Sequence, residues 1–242
     1  MIRKLTLALL LTLPTMAFAI DLEGYYITAK GGVSKTMDTG TTSFTNAAPT
    51  LIVMENEDLG TGSAFGFSVG KYLNDNFRLE LEAIKRTGYE FDAFAKEPIF
   101  ARTASQKADI NSKSIFINGL YDFQPFSIRN TAITPYLGGG VGISRNKMKT
   151  TVQSVNGIPD GITFDGNTIN QFAYKFSAGT LVSLTEQLSL DVNYQYVNLG
   201  AFKQSTELSL NGVRVPAGDN QSPMNQGEIK TQELMVGLQY KF

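Results

Sequence analysis

The 242-residue chain contains no cysteine, no histidine and no tryptophan. Without a thiol or an imidazole it has no disulfide, no Cys-His or Ser-His-Asp nucleophile and no zinc site of the usual nitrogen and sulfur type. Any metal would have to be a hard cation held by oxygens, and no cofactor is expected. Charge of either sign is not in excess: 21 Lys+Arg stand against 22 Asp+Glu, which leaves no basic footprint for nucleic acid. Long apolar runs are missing too. The longest, Leu5–Leu13, is nine residues and ends at Pro14, well short of the ~20 that cross a bilayer as a helix. If the protein is in a membrane, it is not there as helices.

That short run has another reading. Arg3 and Lys4 before it and Ala17-Phe18-Ala19 after it complete the positive, apolar and small-x-small order of a secretory leader. The expectation is a signal peptide over residues 1–19 and a single domain over 20–242, with the mature chain starting at Ile20.

What the mature chain does contain is period-2 alternation, in eight segments at about 24–35, 62–73, 77–91, 110–123, 134–148, 169–184, 188–200 and 231–242. The connections alternate in length. Asn74-Asp75-Asn76 and Thr185-Glu186-Gln187 are tight and 124–133 is moderate, whereas 36–61, 92–109, 149–168 and 201–230 are long and rich in Thr, Ser, Asn, Gly and Pro. Short turns on one side, long loops on the other and both termini on the short side predict an all-β fold: an eight-stranded antiparallel up-and-down transmembrane β-barrel with long extracellular loops and short periplasmic turns. Two hairpins share a plan. Phe67-Ser-Val-Gly70 precedes Leu79, Leu81 and Glu82 at the spacing by which Phe176-Ser-Ala-Gly179 precedes Leu188, Leu190 and Asp191, through a common plan or through chance convergence of two alternating patterns.

Each segment has an apolar face, such as Phe65, Phe67 and Val69 or Leu234, Val236 and Leu238, and a small or polar one, such as Gly66, Ser68 and Gly70. A soluble barrel turns the apolar face inward and a membrane barrel turns it to lipid. Strands long enough for a tilted span favour lipid. So does a collection of aromatics near strand ends, at Tyr72, Phe77, Tyr89, Tyr121, Phe123, Tyr194, Tyr196, Tyr240 and Phe242, where interface girdles sit.

On the polar face, Lys30, Arg78, Glu80, Glu82, Arg86, Lys175 and Asp191 are expected to form a lumenal network, because charges inside a narrow barrel need partners. The Glu80/Glu82 pair as a hydrolase dyad is the weaker reading. Gly138, Gly139, Gly140 and Gly142 alternate within a strand with no helix signal after them, so they serve close packing and not a phosphate loop. In the loop 36–61, Phe44, Leu51, Ile52, Val53 and Met54 lie beside Glu55, Glu57 and Asp58: a protein-binding epitope, or a strand extending above the membrane.

The C-terminal Gly237-Leu-Gln-Tyr240-Lys-Phe242 resembles the assembly signal of Gram-negative outer-membrane proteins, with Met235 where that signal usually has a polar residue. Leu188–Gly200, Pro135–Gly142 and Gly24–Gly32 resemble the penultimate, fifth and first strands of the opacity-type and OmpA/OmpX-like small barrels. The resemblance covers the barrel and not the long loops. It implies a surface antigen, often an adhesin for host receptors or serum and matrix proteins and sometimes a minor pore, placed in outer-membrane lipid by the barrel-assembly machinery. No peptidoglycan-binding domain follows Phe242, so tethering to the cell wall is not expected. Outer-membrane enzymes of this architecture resemble one another in relying on a histidine, and the chain has none, so no catalysis is expected. The reading is an adhesin on a plugged barrel, with a small diffusion pore or a structural protein of the outer membrane as alternatives.

Overall fold

A computed structural model describes residues 22–37, 42–43, 58–97, 102–129, 131–155, 157–215 and 225–242. Among these residues fourteen strands form, in order β1 (Tyr25–Thr36), β2 (Thr42–Ser43), β3 (Thr61–Tyr72), β4 (Phe77–Glu97), β5 (Arg102–Asp122), β6 (Phe126–Ile128), β7 (Thr131–Met148), β8 (Thr151–Val155), β9 (Ile158–Phe164), β10 (Asn167–Ser183), β11 (Leu188–Lys203), β12 (Leu208–Leu210), β13 (Val213–Val215) and β14 (Asn225–Lys241). Eight of them, β1, β3, β4, β5, β7, β10, β11 and β14, pair antiparallel in sequence order, and β1 closes the ring against β14 from Tyr26↔Lys241 to Thr36↔Thr231. Closure leaves the ring no open edge, as lipid requires of a spanning sheet.

The pleat sorts the side chains. The apolar faces point outward, with Phe65 61%, Ile143 64% and Phe172 67% exposed, while Glu82 and Arg86 on the opposite face are fully buried. Small residues let the inner walls approach: a Cβ on Gly142 would lie 2.0 Å from the Ile115 carbonyl oxygen.

The two tight turns share one device. The Asn74 side-chain oxygen accepts from the N–H groups of Asn76 and Phe77, both at 2.9 Å, and Thr185 Oγ1 accepts from Gln187 at 3.3 Å and Leu188 at 2.9 Å. Their last paired residues, Tyr72↔Arg78 and Ser183↔Ser189, are six apart in both cases, so the likeness of the two hairpins extends to their geometry.

The structure corrects the sequence reading above the membrane. The stretch 92–109 is not a long loop: β4 and β5 run on as one ladder to Glu97↔Arg102. The stretches 149–168 and 201–230 contain the hairpins β8/β9 and β12/β13, which pair edge to edge in the order β5-β8-β9-β12-β13. A bulge between Arg86 and Tyr89, with Gly88 at φ 89°, reverses the phase of β4. Tyr89 and Phe91 beyond it are therefore fully buried inside, and Tyr89 leaves the expected girdle. Tyr72 leaves it as well, since its ring sits edge-on to buried Tyr26 at 5.4 Å.

Candidate functional site

Three layers fill the lumen. Nearest the periplasmic turns, Arg78 donates to Asp122 at 2.8 and 3.1 Å and to Gln239 at 3.2 Å. Its guanidinium lies 5.4, 5.5 and 4.9 Å from the ring centres of Tyr26, Tyr72 and Tyr136, a cationic plane held among π faces. In the middle layer Glu82 takes both Lys30 and Lys175 as close ion partners, and Asn118 donates to it at 3.2 Å. Glu80 lies 3.9 Å from Lys30 and accepts from Asn118 at 2.9 Å and Tyr26 at 3.3 Å. Above it Glu233 is a hub, accepting from Arg86 at 2.5 and 3.1 Å, Gln195 at 2.5 Å, Ser34 at 2.7 Å and Thr231 at 2.9 Å. A void of about 10 Å³ between the two lower layers is no larger than one water needs.

Over these charges, toward the long loops, the lumen turns apolar. Leu59, Tyr89, Phe91, Ile110, Phe116, Met148, Val197, Leu199, Phe202 and Ile229 form one cluster with three small neighbours, and all ten are essentially inaccessible.

All seven charged residues singled out from sequence have their side chains in this interior. Six hold ion pairs; Asp191 does not, and accepts instead from Tyr136 at 2.7 Å and Asn193 at 3.3 Å. Sequence reasoning missed Asp122 and Glu233, the partners of Arg78 and Arg86. The signal existed, because Asp122 continues the phase of Ser114 and Asn118 along β5, and Glu233 shares its face with Gly237. What could not be seen was the register that sets Glu233 against an arginine 147 positions away in the chain.

The assembly-signal residues occupy the last strand. Gly237 fits where a Cβ would be 2.7 Å from the Lys30 Cβ, and Tyr240 and Phe242 stand exposed with their rings edge-on at 5.2 Å. Met235 is buried against Ala64 and Ile84. Of the binding-loop candidates, Phe44, Leu51, Ile52, Val53, Met54, Glu55 and Glu57 lie outside the described residues, as does the expected leader 1–19; Asp58 is exposed and accepts from the Gly60 N–H at 2.8 Å. Among the described residues no group of three or more acidic side chains is placed to hold a metal.

A closed eight-stranded ring with an apolar exterior and a charged, packed interior defines a small transmembrane barrel of the Gram-negative outer membrane. The chain belongs to the outer membrane protein beta-barrel domain family, whose profile matches residues 5–242. It is similar to outer membrane protein PagN of Salmonella typhimurium, with 28% identity over 242 residues covering 93% of each chain. Among solved structures, Neisserial surface protein A matches with a TM-score of 0.53 at 19% identity, covering 91% of this chain and 98% of that one. The outer membrane protease OmpT from Escherichia coli matches at 0.52 and 12% identity, covering 94% and 99%. These two likenesses show the shared fold; since one of the two is a protease, the fold alone does not decide catalysis.

Proposed function

We propose that the protein is a surface-displayed binding protein, an adhesin or antigen whose extracellular elements engage a host protein while its barrel stays shut. One observation carries this reading: the hairpins β8/β9 and β12/β13 are zipped onto the β4/β5 arm as a single sheet above the membrane. That sheet presents Val152, Ile158, Leu210 and Val213, 41 to 71% exposed. Apolar groups held out on a rigid sheet are the makings of a protein interface. Exposed ion pairs lie along it, Arg214 to Asp165 at 2.6 Å and to Glu207 at 3.2 Å, and Lys149 to Asp109 at 2.8 Å.

The test is display of the protein on a non-adherent bacterium, counting attachment to host cells and to surfaces coated with serum or matrix proteins. Replacing 151–164 and 208–215 with short turns is expected to abolish attachment while the barrel remains at the surface; attachment that survives both replacements removes the sheet from the function. Deleting 46–58 in parallel reports whether the first loop contributes.

The closed-lumen half of the reading rests on the three interior layers, and it speaks against the diffusion pore that a Gly/Ser-rich inner face suggests. No catalytic role is proposed: the outer-membrane enzymes that this architecture resembles rely on a histidine, and the chain has none. Residues 1–19 are assigned as an export leader, and the terminal sequence of protein recovered from outer membranes should begin at Ile20.

A further inference from the structure

On the lipid-facing wall, three cations stand side by side on three successive strands. Lys85 of β4 faces Lys113 of β5 in register, and Lys113 faces Arg145 of β7. All three side chains are exposed on the outer surface. Like charges directly opposite across strands repel. Among the described residues none of the three takes part in an ion pair.

Their height is informative. Phe77, Tyr121 and Leu137 lie in one register row at the periplasmic end, and each cation is eight residues further along its strand. Eight residues on strands tilted by about 40° rise ~20 Å, most of the ~25 Å apolar band of such a barrel. The arc therefore lies at the outer rim of the hydrocarbon, level with the headgroups of the outer leaflet.

Directly beneath it the wall is dented. Ala83 is flanked in register by Phe67 on one side and Ile115 on the other. With Phe65, Val141 and Ile143 they line an open groove of about 880 Å³ that reaches up to the three cations. An apolar trough capped by unpaired cations has the complement of an acyl chain that ends in a phosphate-bearing headgroup. Arginine takes a phosphate bidentately and lysine takes it as a point charge. Three cations spread over two strand spacings, about 10 Å, exceed what one phosphodiester satisfies. We infer that this wall binds a multiply phosphorylated, multi-acyl glycolipid of the outer leaflet, with its phosphates on Lys85, Lys113 and Arg145 and an acyl chain in the groove over Ala83.

The experiment uses the folded mature protein in neutral detergent and measures retained lipid by native mass spectrometry. The probes are hexa-acyl lipid A with two phosphates, its dephosphorylated form, phosphatidylglycerol and inorganic pyrophosphate. Diphosphorylated lipid A is expected to be retained about tenfold better than the dephosphorylated form or phosphatidylglycerol, with a loss of about tenfold in the triple variant Lys85→Gln/Lys113→Gln/Arg145→Gln. Ala83→Phe, which fills the groove and leaves the cations, should lower retention by a similar factor. Lys71→Gln, at the periplasmic end, should leave it unchanged. Should the triple variant not fold, Lys113→Gln at the centre of the arc carries the charge test with a loss of about threefold. Equal retention of phosphorylated and dephosphorylated lipid, unaltered retention by the charge variants, or one-for-one competition by phosphatidylglycerol overturns the proposal. Retention of pyrophosphate without lipid overturns it too, by making the arc an anion site with no use for the groove.

Discussion

Glu233 and Lys107 are both ion-paired residues, and their environments set very different consequences for losing a partner. Glu233 is fully buried and forks onto Arg86, so Glu233→Gln leaves a guanidinium without its counter-charge where water cannot replace it. The expected cost is about 3–5 kcal/mol, measured as a lowered midpoint of urea unfolding in lipid vesicles. Lys107, with its side chain 68% exposed, pairs with Asp92 at 2.8 Å; Lys107→Ala should change the midpoint by less than about 1 kcal/mol, since an exposed pair exchanges its contact for hydration. That a charged lumenal face exists could be read from alternation alone. Which carboxylate meets which cation could not, because partners such as Arg86 and Glu233 lie on the third and the last strands of the ring, 147 positions apart in sequence.

At the level of elements, two glycines make opposite demands. Gly142 has ordinary backbone but no room for a methyl beside Ile115, whereas a Cβ on Gly88 would only touch the Gly62 Cα at 3.4 Å, and the constraint there is its φ of 89°. Gly142→Ala should destabilise through overpacking of the β5–β7 seam, by about 1–3 kcal/mol. Gly88→Ala should lose about 1–2 kcal/mol through backbone strain alone. Unfolding midpoints check both, and heat-modifiable migration on gels reports whether each barrel still assembles. The bulge at Gly88 also explains why strand phase was legible only up to Arg86: one extra residue exchanges inside for outside, so Tyr89, which read as a rim aromatic, is lumenal, and Phe91 with it. The extended hairpin over 92–109 escaped the sequence reading because its polar, small-residue composition is that of a loop, and only pairing with β8 and its own partner strand makes it sheet.

For the whole molecule, the stacked ionic and apolar layers predict electrical silence. Wild-type protein inserted in planar bilayers should show no steady conductance, and Glu82→Gln should not create one, because the apolar layer above it is untouched by that change. Steady single-channel openings in wild type would instead restore the pore reading. The silent barrel and the attachment test are independent, so a protein that neither conducts nor attaches would be left with a structural role in the membrane.

The amino-acid sequence by itself determined the eight ring strands, the short and long sides and the face turned to lipid, because period-2 alternation and turn chemistry are local and repeat eight times. Tertiary structure decided what depends on register between distant strands. It brought Glu233 to Arg86, drew ten apolar side chains into a cap over the charges, zipped three loop segments into one sheet and aligned Lys85, Lys113 and Arg145 over a groove. Each of these depends on the register between strands, and the contact of Arg86 with Glu233 depends as well on closure of the ring.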